Sequence, residues 1–181
     1  MTGVAVDSPA NVLGALALAV DDRVADAVAA AAAGHSVTAA TALSALDHLR
    51  ILAAPSIEQL SRALGLTHSG TVRLVDRLEQ DGYVRRHRGA DGRSAALALT
   101  PAGRDVAARV TAARWQVLEA ALAALTPTEL EAFGALAGRI LVGMMREPGA
   151  VRWTCRLCDT GACGRYTGGC PIGRAAESRS G

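Results

Sequence analysis

The stretch Ser56-Ile57-Glu58-Gln59-Leu60-Ser61-Arg62-Ala63-Leu64-Gly65-Leu66-Thr67-His68-Ser69-Gly70-Thr71-Val72-Arg73-Leu74-Val75-Asp76-Arg77-Leu78-Glu79-Gln80 decides the fold. It opens as a capping box: the Ser56 hydroxyl accepts from the Gln59 amide, and the Gln59 side chain reaches back. The short helix that follows buries Ile57, Leu60 and Leu64, and Gly65 ends it. The next helix is predicted over 68–80. Its Thr71, Leu74, Val75 and Leu78 recur at i, i+3, i+4 and i+7, which is one buried face. His68, Ser69, Val72, Arg73 and Arg77 fall elsewhere, and Gly70 is a poor helix former. Two short helices joined by a tight glycine turn read as a helix-turn-helix.

Downstream, Asp81-Gly82 breaks the second helix. Tyr83 to Arg88 and Ala95 to Leu99 read as short strands around the turn Gly89-Ala90-Asp91-Gly92, which is rich in residues tolerant of positive φ. Thr100-Pro101 starts a helix, Thr as N-cap and Pro first, running to about Leu125. Thr126-Pro127-Thr128-Glu129 is a second capping box, and its helix runs to about Arg146. Upstream, 11–33 is predicted as one long helix ended by Gly34, and 37–53 as another stopped by Pro55. No internal repeat is present. The expected fold is mainly α: a winged helix-turn-helix of about six helices plus a two-stranded wing, with dimerisation helices from both termini. The expected organisation is a flexible leader (1–9), N-terminal dimerisation and core helices (10–55), the DNA-binding winged unit (56–104), C-terminal dimerisation helices (105–147) and a cysteine-rich tail (148–181).

The chain has 181 residues and half are hydrophobic, yet only Phe133, Trp115, Trp153, Tyr83 and Tyr166 are aromatic. The core must therefore be Leu, Ala and Val, a helix-favouring set. The formal net charge of +2 decides nothing, but its distribution does. Residues 82–104 carry Arg85, Arg86, Arg88, Arg93 and Arg104 against one acid, Asp91. A local basic stripe binds phosphate even on a near-neutral chain. The second helix of such a motif fits a major groove roughly 12 Å wide, with its N-terminal residues on base edges and flanking Arg on phosphates. The expected reading end is Thr67, His68, Ser69 and Gly70, with Val72 and Arg73 beside it. Val72 suits a thymine methyl, and Arg73 a guanine or a phosphate. Arg77, Arg85, Arg86 and Arg88 complete the expected basic set, although any of the last three could be a solvated strand edge. His35, His48 and His87 are expected to be structural or exposed. The apolar stripes of 11–33 and 117–145 read as core and dimer interface rather than as a ligand pocket.

This chain resembles the MarR-type regulators. The resemblance rests on Ile57-Glu58-Gln59-Leu60, Ala63-Leu64-Gly65-Leu66, Arg73-Leu74-Val75-Asp76-Arg77-Leu78-Glu79 and Gly82-Tyr83-Val84. It continues through Asp91-Gly92-Arg93 and Leu97-Ala98-Leu99-Thr100-Pro101-Ala102-Gly103, and spans about residues 10–146. It implies that Asp91 supports the wing and that Arg93 enters the minor groove. It also implies an obligate homodimer in which the first and last helices of both subunits interlock. The Cys tail lies outside the common family pattern.

All four cysteines stand together as Cys155, Cys158, Cys163 and Cys170, a C-x2-C-x4-C-x6-C array with Gly161, Gly164, Gly168 and Gly169 among them and Pro171 closing it. No secretory signal is visible, and Asp21, Asp22, Arg23 and Asp26 interrupt the apolar N-terminal run, so the expectation is a cytoplasmic protein without a membrane span. Clustered thiols in a reducing compartment read as metal or redox chemistry rather than disulfides. Four thiolates ligate one zinc ion or an iron–sulfur cluster, and Arg152, Arg156 and Arg165 beside them favour the thiolate form. Zinc ribbons usually carry two C-x2-C pairs, whereas here there is one. Cys170-Pro171 closes the loop as Cys-Pro closes bacterial ferredoxin motifs. The segment also resembles the C-terminal cluster loop of redox-sensing MerR-family regulators. The reading leans to iron–sulfur over zinc, with a metal-free thiol switch as a third option and a purely structural staple as the alternative to sensing.

The functional expectation is a homodimeric DNA-binding transcriptional regulator, a repressor. It would bind a pseudo-palindromic operator with half-sites ~34 Å apart. The signal would be the cysteine centre, with a cluster lost to oxidant or nitric oxide, or a small-molecule effector. The alternative is a metalloprotein with a redox or carrier role that uses the winged helix for protein contacts. No catalytic residues are expected: a catalytic zinc keeps an open position, four Cys would close the site, and no nearby His or Glu is placed as a base.

Overall fold

The computed structural model describes residues 8–32, 34–50, 55–88, 95–145, 154–159, 162–164, 167, 169–170 and 172–174. Its elements are α1 (Pro9–Ala31), α2 (Val37–Leu49), α3 (Ile57–Leu64), α4 (His68–Gln80), β1 (Val84–Arg88), β2 (Ala95–Leu99), α5 (Pro101–Leu122) and α6 (Pro127–Met144). The fold is mainly helical with one two-stranded antiparallel sheet, as expected.

Local chemistry sets most boundaries. Helix α1 starts at Pro9 rather than Asn11, because Ser8 caps it and Pro9 occupies the first turn, where a missing N–H costs nothing. Both predicted capping boxes form, Ser56 with Gln59 and Thr126 with Glu129. Gly65 ends α3 in the left-handed conformation, φ 66°, which glycine adopts without a Cβ penalty. Helix α2 ends at Leu49 with Arg50 as its C-cap, and positions 51–53 of its predicted span lie outside the described residues. Tyr83, expected to open the first strand, instead donates its amide to Leu78 O at 2.8 Å and finishes the turn after α4.

One core joins these pieces. Leu43, Leu46, Leu60, Val75, Leu78, Val84 and Leu97 are all essentially inaccessible, with alanines of α2 and Ala107 of α5 filling the spaces between them. Aliphatic burial of this kind stabilises by roughly 1.5–3 kcal/mol per side chain. The strands pair Val84 with Leu99 and Arg88 with Ala95. Leu97 N–H also bonds Pro55 O at 2.8 Å, tying the wing to the entrance of α3. Thr100 Oγ1 donates to Gly82 O at 2.7 Å and caps α5 through the Gly103 amide. Ser44 and Thr111 share a hydrogen bond of 2.9 Å between α2 and α5.

Two helices carry apolar faces that this subunit does not cover. Val12, Leu13, Leu16 and Leu18 of α1 are exposed, as are Leu130, Phe133, Leu136, Ile140, Leu141 and Met144 of α6. A groove of about 970 Å³ between α1 and α5, with Leu16, Val20, Ala27 and Val117 in its walls, continues the first face.

Candidate nucleic-acid interface and the cysteine loop

The expected reading end is the free N-terminus of α4. Thr67 caps it, accepting from the Gly70 amide at 3.1 Å, while Thr71 Oγ1 donates to Thr67 O at 3.0 Å. That geometry accounts for Gly70: a Cβ there would lie 3.0 Å from the Thr67 hydroxyl and press on the cap. Thr67, His68 and Ser69 are exposed, and Val72 is half-buried. Thr71, Val75 and Leu78 face inward and Leu74 packs against them, so the predicted division of the helix holds. Arg73 and Arg77 project to solvent on the same helix, and Arg85 and Arg88 are exposed on β1. The chain thus presents a helix end of hydroxyl, imidazole and amide groups between two sets of guanidinium groups. This arrangement suits base edges flanked by phosphates.

Arg86 departs from the expected basic set. Its guanidinium turns back to α4, bonding Asp76 at 2.6 Å and also Glu79, while its amide donates to Glu79 Oε1 at 3.0 Å. Burial works against its charge, but the bonds to Asp76 and Glu79 outweigh that and raise its pKa. Arg86 therefore braces the wing against the reading helix and is not presented to a phosphate. Asp91 and Arg93, with the wing turn 89–94, lie outside the described residues. Of the histidines expected to be structural, His35 packs edge-on against Tyr83 with centroids 4.6 Å apart, and His48 is buried in α2.

The four cysteines all belong to one small cluster, distinct from the main core. Cys155 and Cys170 are buried with Met145 and Ile172, and Cys158 and Cys163 pack against them. All four are thiols rather than disulfide halves. Among the described residues, no group of three or more His, Cys, Asp or Glu side chains stands in a metal-holding arrangement. The thiols are electrostatically unequal. A hydrogen bond from Cys155 lowers the Cys158 pKa to about 7, against its burial and with help from the charges of Arg114 and Arg156. The same bond, with burial, pushes Cys155 up. The Gly173 amide points at Cys170 Sγ, 3.4 Å away.

Among the described residues, three side chains seat this loop on the helical body, and no pattern in the sequence marks them. His48 Nδ1 lies 3.2 Å from Cys158 O, Arg114 Nη1 donates to Leu157 O at 2.9 Å, and Leu157 packs on the main core. A cavity of about 260 Å³ lies beside the seam, lined by Asp47 and His48 of α2, Thr111 of α5, and Cys158 and Asp159 of the loop.

Residues 35–94 match the family model described as MarR family. No curated protein matches the chain. Among solved structures, a MarR-family transcriptional regulator from Silicibacter pomeroyi is 26% identical over 75% of this chain and 89% of its own, with a TM-score of 0.56. A MarR family protein from Bacillus stearothermophilus is 21% identical, covering 75% of this chain and 92% of its own, with a TM-score of 0.64. The Staphylococcus aureus MepR–DNA complex is 14% identical over 76% of this chain and 97% of that one, with a TM-score of 0.59. The fold is that of the MarR regulators. No helix among the described residues is long and apolar enough to cross a membrane.

Proposed function

We propose that this chain is a homodimeric, sequence-specific DNA-binding transcriptional regulator that acts as a repressor. The observation that carries the reading is the N-terminal end of α4: Thr67, His68 and Ser69 are exposed, with Arg73, Arg77 and Arg85 at the flanks. MepR, which shares the fold, is described in complex with DNA. Double-stranded DNA is therefore the partner, and the pseudo-palindromic operator follows from a two-fold dimer.

Dimerisation is supported by the uncovered apolar faces of α1 and α6, which far exceed the scattered exposed leucines of an ordinary monomer surface. We assign the groove between α1 and α5 to the partner subunit on the same ground. Repression follows from occupancy: a dimer spanning half-sites about one helical turn apart blocks the duplex beneath it.

The test is binding to duplex DNA across a salt series. Tight binding at low salt that weakens linearly on a log–log plot is expected. Arg93→Ala should weaken binding to all sequences and reduce the slope by about one, whereas Arg73→Ala should also blunt discrimination between sequences. An unchanged slope in Arg93→Ala removes the wing from the interface. No retention on DNA at any salt favours a metalloprotein that uses the winged helix for protein contacts.

A further inference from the structure

We propose that Cys155, Cys158, Cys163 and Cys170 are the ligands of one thiophilic metal centre, and that its loading fixes the seam between α2 and α5 through His48 and Arg114. Three independent observations converge on it.

Among the described residues, the loop's own apolar cluster is small: it consists of Met145, Ile172, Cys155 and Cys170, with Cys158 and Cys163 packed against them. Ordering each residue costs about 1–2 kcal/mol of backbone entropy. Two aliphatic side chains supply only a few kcal/mol in return. For a small loop of this kind, metal-binding free energy is folding free energy. The thiols share a cluster without yet standing as a ligand set, and loading draws them together.

The surroundings are arranged for negative sulfur. The Gly173 amide is aimed at Cys170 Sγ, a bond that a thiolate accepts better than a thiol. Arg114 is half-buried, and among the described residues no carboxylate pairs with it. Its Nη1 bonds the Leu157 carbonyl, next in the chain to Cys158. A half-buried cation gains from a nearby anion, and a four-thiolate centre supplies net negative charge there. On loading, each thiol gives up its proton to solvent and its sulfur takes the metal.

The loop is wired to the helices rather than trailing from them. His48 and Arg114 reach the consecutive carbonyls of Cys158 and Leu157, and Leu157 enters the main core. Cys158 is itself one of the proposed ligands, so drawing its sulfur to a metal moves the carbonyl that His48 meets. Helix α5 carries Arg114 and forms one wall of the groove assigned to the partner. A change at the loop thus reaches the helices that set the spacing of the two reading heads. This regulatory consequence rests on the DNA-binding reading above; the metal site does not.

The full chain, purified without oxygen, is analysed for iron, acid-labile sulfide and zinc, with a visible spectrum, and then titrated with zinc and, separately, with ferrous iron plus sulfide. The expected result is one centre per chain: either iron and sulfide with visible absorption, which identifies a cluster, or about one zinc. Cys155→Ser and Cys170→Ser should lose most of the metal. Cys163→Ser, at a less buried position, should lose it too while keeping native helicity by circular dichroism. A chain that takes up neither metal, or oxidises to disulfides instead, overturns the proposal. DNA affinity of loaded and chelator-stripped protein should differ by about tenfold, a typical coupling, and the difference should vanish in His48→Gln and Arg114→Met. Metal uptake with equal affinities overturns the link to the helices. Metal uptake with no DNA binding in either state upholds the site and refutes the regulator reading.

Discussion

The helix-turn-helix and the cysteine loop are both short segments that must place a few side chains accurately, and they do so by opposite means. The first, Ser56 to Gln80, has a capping box, a left-handed glycine and a row of leucines and valines locked into the main core. Among its described residues, the loop has a small cluster built around the four cysteines and attachments through His48, Arg114 and Leu157. A segment held by apolar burial keeps its shape in isolation from any ligand. A segment held by a few polar contacts takes its shape from what binds it. Under the proposed function, the reading head is a fixed part and the loop a conditional one, a division of labour that suits a regulated DNA-binding protein.

The sharpest way to break that contrast is to cut one apolar side chain from each. Leu78 is 1% exposed in α4, so Leu78→Ala removes buried methylenes and leaves a cavity, at an expected cost of about 3 kcal/mol. Leu157 is only partly buried, and Leu157→Ala should cost about 1 kcal/mol or less of global stability in metal-free protein. Chemical denaturation of both variants decides it. A loss at Leu157 as large as that at Leu78 would mean the loop is part of the main core, and the distinction would fail.

The same contrast explains what could be read from the sequence. Helices α3 and α4 were legible to the residue because caps, Gly65 and a 3.6-residue period all act locally. The wing strands followed from the glycine-rich turn between them. The cysteine array was visible because spacing is written in the chain. Its seat was not: His48 lies far from Cys158 in sequence, and a lone buried histidine or an arginine in the middle of a helix carries no periodic mark. The pairing of Arg86 was hidden for a related reason. Three arginines in five residues look like a basic patch, and only the three-dimensional position of Asp76 and Glu79 shows that one of them is spent internally.

A smaller effect probes the rigidity of the fixed part at its join to the dimerisation region. Gly103 sits in the first turn of α5 against the Tyr83 carbonyl, where a Cβ would come within 2.2 Å of a backbone oxygen. Neither side is a flexible side chain that can swing away. Gly103→Ala should therefore cost about 2 kcal/mol as an overpacked seam, although alanine is the better helix former. It should also lower DNA affinity, because the wing and α5 meet there. A stabilised or unchanged Gly103→Ala variant would show that the wing shifts easily relative to α5, and the reading head would no longer count as fixed.

The smallest effect concerns α6, which has local capping but an uncovered apolar face. Glu129 accepts from the Thr126 amide and hydroxyl, each at 2.8 Å, and these bonds hold its carboxyl below its ordinary value of 4.5. The sign follows from linkage. A carboxyl with a lowered folded pKa stabilises the fold fully above its unfolded pKa, and that contribution is lost as pH falls through the folded value. The cap should thus be intact at neutral pH and fail only in acid, and the group is exposed, so the change is slight. Titrating the Glu129 carboxyl by NMR should give a midpoint below 4.5 that returns towards 4.5 in Thr126→Ala. A midpoint unmoved by that substitution would mean the cap does not hold the start of α6. Packing against the partner subunit would then have to order the helix, placing α6 with the cysteine loop among the parts shaped by what they bind.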